Sequence, residues 1–101
     1  MKVGKLYQVT THFWMVFPSQ ELIHKALQFT SPVYLNEAEA RATSQYYNSR
    51  LNWKVSYIRP TDVFVPLQQD EKYRKILTAN GEIGWIWVCE SDSFLVEEIK
   101  Q

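Results

Sequence analysis

Alternating apolar and polar positions near the start of the chain predict β-structure. In residues 5–10, Tyr7 and Val9 fall on one side of an extended chain, because successive side chains of a strand point to opposite faces. Residues 12–17 are almost continuously apolar, which is typical of a strand buried on both faces. Pro18 ends this second strand, since proline lacks the amide hydrogen that a central strand donates.

Residues 19–30 fit two interpretations. Several apolar side chains fall at helical spacing in this segment, and Ser19 is a suitable N-cap, so a helix is one prediction. A loop with a single helical turn fits the same residues equally well. The pair Ser31-Pro32 marks a break in the chain, and residues 33–35 are expected to form a short extended piece.

The clearest helical signal lies between Asn36 and about Arg50. Asn36 is a good N-cap, and Glu39 stands three residues later, so the two form a variant of the capping box. Alanines at alternate positions in the first half of the segment also favour a helix. Four residues at helical spacing form its predicted buried face: Ala40, Ser44, Tyr47 and Leu51.

The next segments alternate between strand and turn patterns. Residues 53–58 show the alternation of a strand, and residues 59–62 have the composition of a turn. Residues 63–67 predict another strand, in which Pro66 requires either an edge position or a bulge. Residues 68–72 are polar and are expected to form a turn.

A β-hairpin is predicted near the end of the chain. Residues 73–78 and 83–89 are largely apolar runs, and an Asn-Gly pair at positions 80–81 lies between them, which is one of the clearest hairpin signals. The glycine of that pair supplies a positive φ angle, and Gly84 permits a close approach or a bulge. Residues 94–99 close the chain as a short strand or a helical turn.

From residue 63 onward, the order of these elements resembles the bacterial-type SH3 pattern. A strand, an acidic turn and a second strand lead to the Gly-x-x-Gly-Trp-Ile segment at 81–86, and Phe94-Leu95 follows. In that family a G-x-x-G-W-[IV] segment marks the last hairpin. The resemblance implies a mainly β fold, a small SH3-like β-barrel with one inserted α-helix around 36–50, forming a single domain over residues 1–101.

The whole chain is also similar to small uncharacterised SH3-like barrel proteins of tailed phages and their hosts. That resemblance rests on the helix followed by residues 51–58, and it brings no particular activity with it. The ALYDY-like stretch of eukaryotic SH3 domains is missing, and so are the proline and tyrosine that follow their Gly-Trp pair. We therefore do not expect the domain to recognise proline-rich peptides.

Length, charge and cysteine content narrow the class of protein. A chain of 101 residues has room for one core. It carries 11 basic and 11 acidic residues. This balance disfavours a nucleic-acid-binding protein, because such proteins normally have an excess of basic residues on one surface. Cys89 is the single cysteine, so no internal disulfide is expected. No apolar run is long enough to cross a membrane, and we expect a cytoplasmic protein, or a protein of the host cytoplasm if it is viral.

Candidate catalytic and metal-binding groups are few. His12 and His24 are the only histidines, and neither belongs to a metal-binding or nucleophile motif. Cys89 has no cationic neighbour in sequence that would activate it, so a buried structural role is favoured. The chain contains no glycine-rich phosphate loop. We therefore expect no cofactor, no metal and no enzymatic activity; a small hydrolase-type enzyme would require a histidine to meet carboxylates in a cleft.

The aromatic content is the unusual feature of the composition. Aromatic residues make up 15% of the chain, which is more than a barrel this small can enclose, so some rings should stay partly exposed and bind a partner. The candidate partner-binding residues are Trp53, Tyr57, Tyr73, Trp85 and Trp87. The leading hypothesis is a non-enzymatic SH3-like module that binds an unknown protein or a second copy of itself, with strand addition at residues 63–67 as another route. The alternative is a barrel that stacks single-stranded nucleic acid on its rings.

Overall fold

Seven strands and two helices make up the part of the chain that the structure, a computed structural model, describes, namely residues 1–29, 35–88 and 96–100. The predicted mainly β fold is confirmed. In chain order the elements are β1 (Tyr7–Val9), β2 (Trp14–Val16), α1 (Gln20–Ala26), α2 (Glu37–Arg50), β3 (Ser56–Ile58), β4 (Val63–Asp70), β5 (Tyr73–Thr78), β6 (Ile83–Trp87) and β7 (Val96–Glu98).

Five of the strands form one antiparallel sheet. Its order is β6-β5-β4-β1-β7, so the last described strand pairs with the first. Strands β2 and β3 form a separate antiparallel pair. A bridge between Phe17 and Trp85 joins this pair to β6, with the two backbone N–H···O distances at 2.8 and 2.7 Å. Strand β7 confirms the strand alternative for residues 96–98, whereas residues 94 and 95 lie outside the described chain.

The predicted hairpin of β5 and β6 is confirmed. The amide of Gly81 donates to the carbonyl of Thr78 at 3.0 Å, and the amide of Thr78 donates to the carbonyl of Glu82 at 2.8 Å. Gly81 has a φ of +85°, the left-handed conformation that glycine adopts without penalty. A turn followed by one left-handed residue is a common three-residue hairpin connection, and it sets the register that pairs Tyr73 with Trp87.

Gly84 lies where β6 meets β2. A Cβ atom at this position would come within 2.5 Å of the Cγ1 atom of Val16 and 3.1 Å of the carbonyl oxygen of Phe17. Carbon atoms in contact normally stay about 3.5–4.0 Å apart. The close approach predicted for this glycine is therefore confirmed, and the absence of a side chain allows the Phe17–Trp85 bridge to form.

Two helices, rather than one, lie between β2 and β3. Helix α1 resolves the ambiguity of residues 19–30 in favour of the helix: the Ser19 hydroxyl accepts a hydrogen bond from the amide of Leu22 at 3.3 Å. Ile23 and Ala26 lie three residues apart on its buried face, and burial of this face against the core stabilises a helix too short to be stable alone. The prediction of a single inserted helix is therefore wrong.

Helix α2 confirms the predicted capping box. The amide of Glu39 donates to the side chain of Asn36 at 2.8 Å, and the amide of Asn36 donates to the carboxylate of Glu39 at 3.1 Å. Ala40 and Tyr47 are buried as predicted. Leu51 is 40% exposed, contrary to its predicted place on the buried face, because it is the C-cap residue, at the end of the helix.

Strand β3 is shorter than the alternation predicted. Asn52 and Lys54 have φ angles of 54° and 60°, and this left-handed backbone prevents residues 53–55 from joining the strand. The side chain of Asn48 in α2 makes the hydrogen bonds to the Val55 backbone that a neighbouring strand would otherwise make. It accepts from the Val55 amide at 2.6 Å and donates to the Val55 carbonyl at 2.8 Å.

Strand β4 corrects two expectations. It extends to Asp70, so only the last two residues of the turn predicted for residues 68–72 form a turn, and Glu71 has a φ of 55° there. It also lies between β5 and β1, so the edge position is wrong and strand addition at residues 63–67 loses its basis. The alternative of a bulge is confirmed by a register shift between Pro66 and Gln68.

The buried side chains form two clusters on opposite faces of β2. Trp14 and Val16 belong to the first core, and Met15 and Phe17 belong to the second core, as expected for a strand buried on both faces. The other members of the first core are Tyr7, Val9, Ile58, Phe64, Ile76, Ile86 and Val88. The other members of the second core are Ile23, Ala26, Leu35, Ala40, Tyr47 and Val55. The second core is thus built mainly from the helices and the segments beside them.

Candidate functional site

Three of the five candidate rings share one face of the β5–β6 hairpin. Tyr73 lies directly opposite Trp87 in the sheet register, and Trp85 lies opposite Lys75. The alternate positions of the two strands, Ile76 and Ile86, point into the first core. The three rings consequently point to the other side, where they are partly buried against the second core, and Trp87 also packs against the first core.

The remaining two candidate rings lie on other elements. Trp53 stacks on Tyr47, with 4.6 Å between ring centroids and 22° between planes. Tyr57 meets Phe13 edge to face at 5.8 Å, and the Arg59 guanidinium lies 5.8 Å from the centre of the Tyr57 ring, a distance that allows cation–π attraction.

All five candidates therefore border the second core at separate points. Each of them is partly buried and packs against that core. None belongs to the exposed large hydrophobic residues of the described chain. Their packing explains much of the aromatic content, because these large rings cover apolar surface that a chain of this size would otherwise leave in water.

A different set of side chains forms the exposed apolar surface. Of the six large hydrophobic residues that the described chain leaves exposed, three line the same groove: Phe29 at 74%, Tyr46 at 56% and Leu51 at 40% exposure. Ala42, Thr43 and Tyr47 complete the lining, and the groove has a volume of about 490 Å³. Adjoining exposed apolar side chains mark interaction sites on soluble proteins more often than isolated ones do. The surface formed by the six lining residues is called the α2 groove below: Phe29, Ala42, Thr43, Tyr46, Tyr47 and Leu51.

The two helices position the rings of the α2 groove. Helix α1 ends in a tight turn, in which the amide of Phe29 donates to the carbonyl of Ala26 at 2.9 Å. In α2, Tyr46 and Tyr47 are consecutive and so point about 100° apart around the helix axis. Tyr47 enters the second core while Tyr46 stays outside it, and the two rings meet edge to face at 5.8 Å.

Burial also affects the chemistry of the groove. It raises the pKa of the Tyr47 phenol, and the neighbouring Tyr46 raises it further. The residues of the α2 groove include no acid, no histidine and no cation. The groove is thus suited to apolar and aromatic contacts at neutral pH, where the raised pKa keeps the Tyr47 phenol protonated.

Neither of the two histidines lines the α2 groove. His24 is exposed on α1, and the ring of His12 lies 2.9 Å from the Thr11 hydroxyl. No three histidine, cysteine or acidic side chains of residues 1–29, 35–88 and 96–100 come together as metal ligands would. Cys89 lies outside these residues.

Several carboxylates of the described chain have structural partners. Asp70 accepts a hydrogen bond from the Gln20 side chain at 2.9 Å, and Asp62 accepts one from the Arg59 amide at 3.0 Å. The Ser56 hydroxyl donates to the Glu82 carboxylate at 3.0 Å. These contacts hold turns and strand ends in place.

The sequence contained part of the signal for the α2 groove. Tyr46 follows from the predicted helix, because a face centred on Ala40, Ser44 and Tyr47 leaves position 46 outside it. Phe29 could not be placed while residues 19–30 were open to two interpretations. The exposure of Leu51 depends on where α2 ends, which helix periodicity does not determine.

Neither helix has the length and apolar character needed to span a bilayer, and the described residues contain no other helix. No family model, curated protein or solved structure matches this chain.

Proposed function

We propose that this protein is a non-enzymatic SH3-like interaction module that binds another protein chain through the α2 groove. The observation that carries the proposal is the concentration of exposed apolar side chains at one place. Phe29, Tyr46 and Leu51 account for half of the six large hydrophobic residues exposed in the described chain, and they line one groove. Interfaces between proteins are enriched in aromatic residues at their centres.

The strand order supports the SH3-like part of the proposal. In an SH3 barrel the last strand returns to pair with the first, and three consecutive strands joined by tight turns form the other end of the sheet. The order β6-β5-β4-β1-β7 has both properties. The bulge in β4 between Pro66 and Gln68 bends this strand. The bend allows β4 to pair with both β1 and β5.

The chemistry of the α2 groove favours binding over catalysis. Its lining consists of apolar, aromatic and small side chains, and its hydroxyl groups have no acid, base or histidine beside them in the groove to activate them. A protein chain with its own apolar side chains fits this lining, because both surfaces are then removed from water.

Site-specific photo-crosslinking, carried out in the cells that naturally produce the protein, tests the proposal. A benzophenone amino acid replaces Tyr46 in one variant and Ile83 in a control, because these residues are similarly exposed at 56% and 59% and only Tyr46 lines the groove. We expect irradiation to give a covalent protein adduct from position 46 and none from position 83. Equal adducts from both positions, or none from position 46, would contradict the proposal.

A further inference from the structure

We propose that the occupant of the α2 groove is a second copy of this chain, with the two α2 helices antiparallel across a twofold axis. This inference rests on the proposed function, since it names the partner of the same surface. It follows from the order of residues along the exposed face of α2, which is self-complementary in both size and charge.

The first line of evidence is the spacing of the exposed face. On an ideal helix, Glu39, Thr43, Tyr46 and Arg50 fall within about 60° of one another around the axis. All but Thr43 are classed as exposed, and Thr43 and Tyr46 line the groove. One stripe of the helix surface therefore carries an acid, a small side chain, a large ring and a base, in that order along the chain.

Size complementarity sets the register of the two helices. In an antiparallel pair centred between Thr43 and Tyr46, the ring of Tyr46 lies over Thr43 of the other copy. Ala42 and Thr43 line the groove beside Tyr46 and have much smaller side chains, so each copy offers a projection and a hollow. Such self-complementarity is what a twofold interface requires, since the same patch must serve both partners.

Charge complementarity gives the same register independently. The midpoint between Glu39 and Arg50 is also the midpoint between Thr43 and Tyr46. The antiparallel arrangement that places each Tyr46 ring over Thr43 of the other copy therefore also places each Glu39 opposite an Arg50. Arg50 forms no ion pair within the described chain, whereas Arg41 is held by Glu37 on the opposite side of the helix. Glu39 uses one carboxylate oxygen in the capping box and has a second for a cation.

The size of the surface determines the expected affinity. A helix of 14 residues is about 21 Å long, so two such helices and the flanking Phe29 rings bury less than the area of a standard interface. Interfaces at the small end of the range are typically weak and reversible. We therefore expect a dimer that dissociates in the micromolar range and is weakened by salt.

Sedimentation of the purified full chain tests the inference. We expect the mass to rise from that of the 12.0 kDa monomer toward twice that value as the concentration increases from about 5 to about 500 µM, spanning the range of a weak interface. Tyr46→Ala should weaken the dimer at least tenfold, and Ile83→Ala, an exposed residue outside the groove, should leave it unchanged. A chain that is monomeric throughout, or a dimer that survives Tyr46→Ala, overturns the inference.

Charge exchange tests the register. Glu39→Arg and Arg50→Glu should each weaken the dimer at least tenfold, because each places like charges opposite one another in both copies of the contact. Mixing these two variants should restore a dimer, since one chain then carries two bases and the other carries two acids. Glu37→Arg and Arg41→Glu are matched controls on the opposite side of the helix and should leave the dimer unchanged.

The outcomes separate this inference from the proposed function. Glu39→Arg also removes the Glu39 half of the capping box. The Glu39→Arg chain still lacks that hydrogen bond when it is mixed with the Arg50→Glu chain. A dimer that forms in the mixture therefore reports the charge contacts rather than a change in folding. A mixture that stays monomeric overturns the antiparallel register. A purified chain that is monomeric, combined with a different protein cross-linked at position 46 in cells, overturns self-pairing and leaves the proposed function standing.

Discussion

Replacement of Gly84 by alanine should disrupt the junction between the two sets of strands. The new methyl group would lie 2.5 Å from the Cγ1 atom of Val16 and 3.1 Å from the carbonyl oxygen of Phe17. About 1 Å of movement is needed to restore a normal carbon–carbon contact. Val16 is buried and its branched side chain has few alternative rotamers, so the strand itself has to move away from β6.

The magnitude follows from two contributions. Overpacking of a core typically costs about 1–3 kcal/mol. Movement of β2 also lengthens the two backbone hydrogen bonds of the Phe17–Trp85 bridge, each of which contributes about 0.5–1.5 kcal/mol. We therefore expect Gly84→Ala to lower the free energy of unfolding by about 2–6 kcal/mol, a large part of the stability of a small domain.

Urea unfolding of a double-mutant cycle measures this effect. Tryptophan fluorescence and far-ultraviolet circular dichroism report the transition, and Val16→Ala removes the atom that the new methyl group meets first. The double variant should be more stable than the sum of the single changes predicts by at least about 1 kcal/mol. Gly81→Ala is the control, since it has open space around it and a φ of +85°, and it should cost about 1–2 kcal/mol.

Two results would refute this reasoning. If Gly84→Ala changes the free energy of unfolding by less than about 0.5 kcal/mol, the close approach of β6 to β2 does not constrain this position. If the costs of Gly84→Ala and Val16→Ala are simply additive, the contact between the two residues is not the source of the destabilisation.

Further predictions concern α2. Asn48→Ala should lower the free energy of unfolding by about 1–3 kcal/mol, because it leaves the amide of Val55 without a side-chain partner and the Val55 carbonyl with only the Ser44 hydroxyl at 3.3 Å; an unchanged urea midpoint would show that solvent replaces the lost bonds. The raised pKa of Tyr47 means that the folded state holds the phenolic proton more tightly than the unfolded state, so the contribution of Tyr47 to stability should be fully present below about pH 10 and be lost as the pH rises further. Tyr47→Phe should flatten that fall, as measured by urea unfolding between pH 8 and 11; an unaltered slope would assign it to other groups.

The parts of the fold that could be predicted from sequence are those set by local chemistry. The capping box of Asn36 and Glu39 and the hairpin turn at Gly81 each depend on residues within one turn of the chain. Their hydrogen bonds form between neighbours, so residue type and spacing are sufficient to identify them. The buried character of β2 was predictable for a similar reason, since every position of that run is apolar.

The parts that could not be predicted depend on contacts between distant segments. The pairing of β1 with both β4 and β7 places β4 inside the sheet, and nothing in residues 63–67 distinguishes that position from an edge with a bulge. The exchange of hydrogen bonds between Asn48 and Val55 requires α2 to lie along β3. The α2 groove depends on the approach of Phe29, which follows α1, to the side chains of α2, and no local pattern specifies it.

The distribution of aromatic residues separates stability from association. Rings such as Trp53 and Trp85 pack against the second core, so their size is accounted for by burial within the monomer. Phe29 and Tyr46 belong to neither core and remain mostly in water, where large apolar groups contribute little to folding and favour association. An intramolecular explanation for the second pair would need a described element that covers them, and the groove that they line is formed by α2, its C-cap and Phe29 instead. The α2 groove is therefore a surface where loss of binding and loss of stability should be separable by single substitutions.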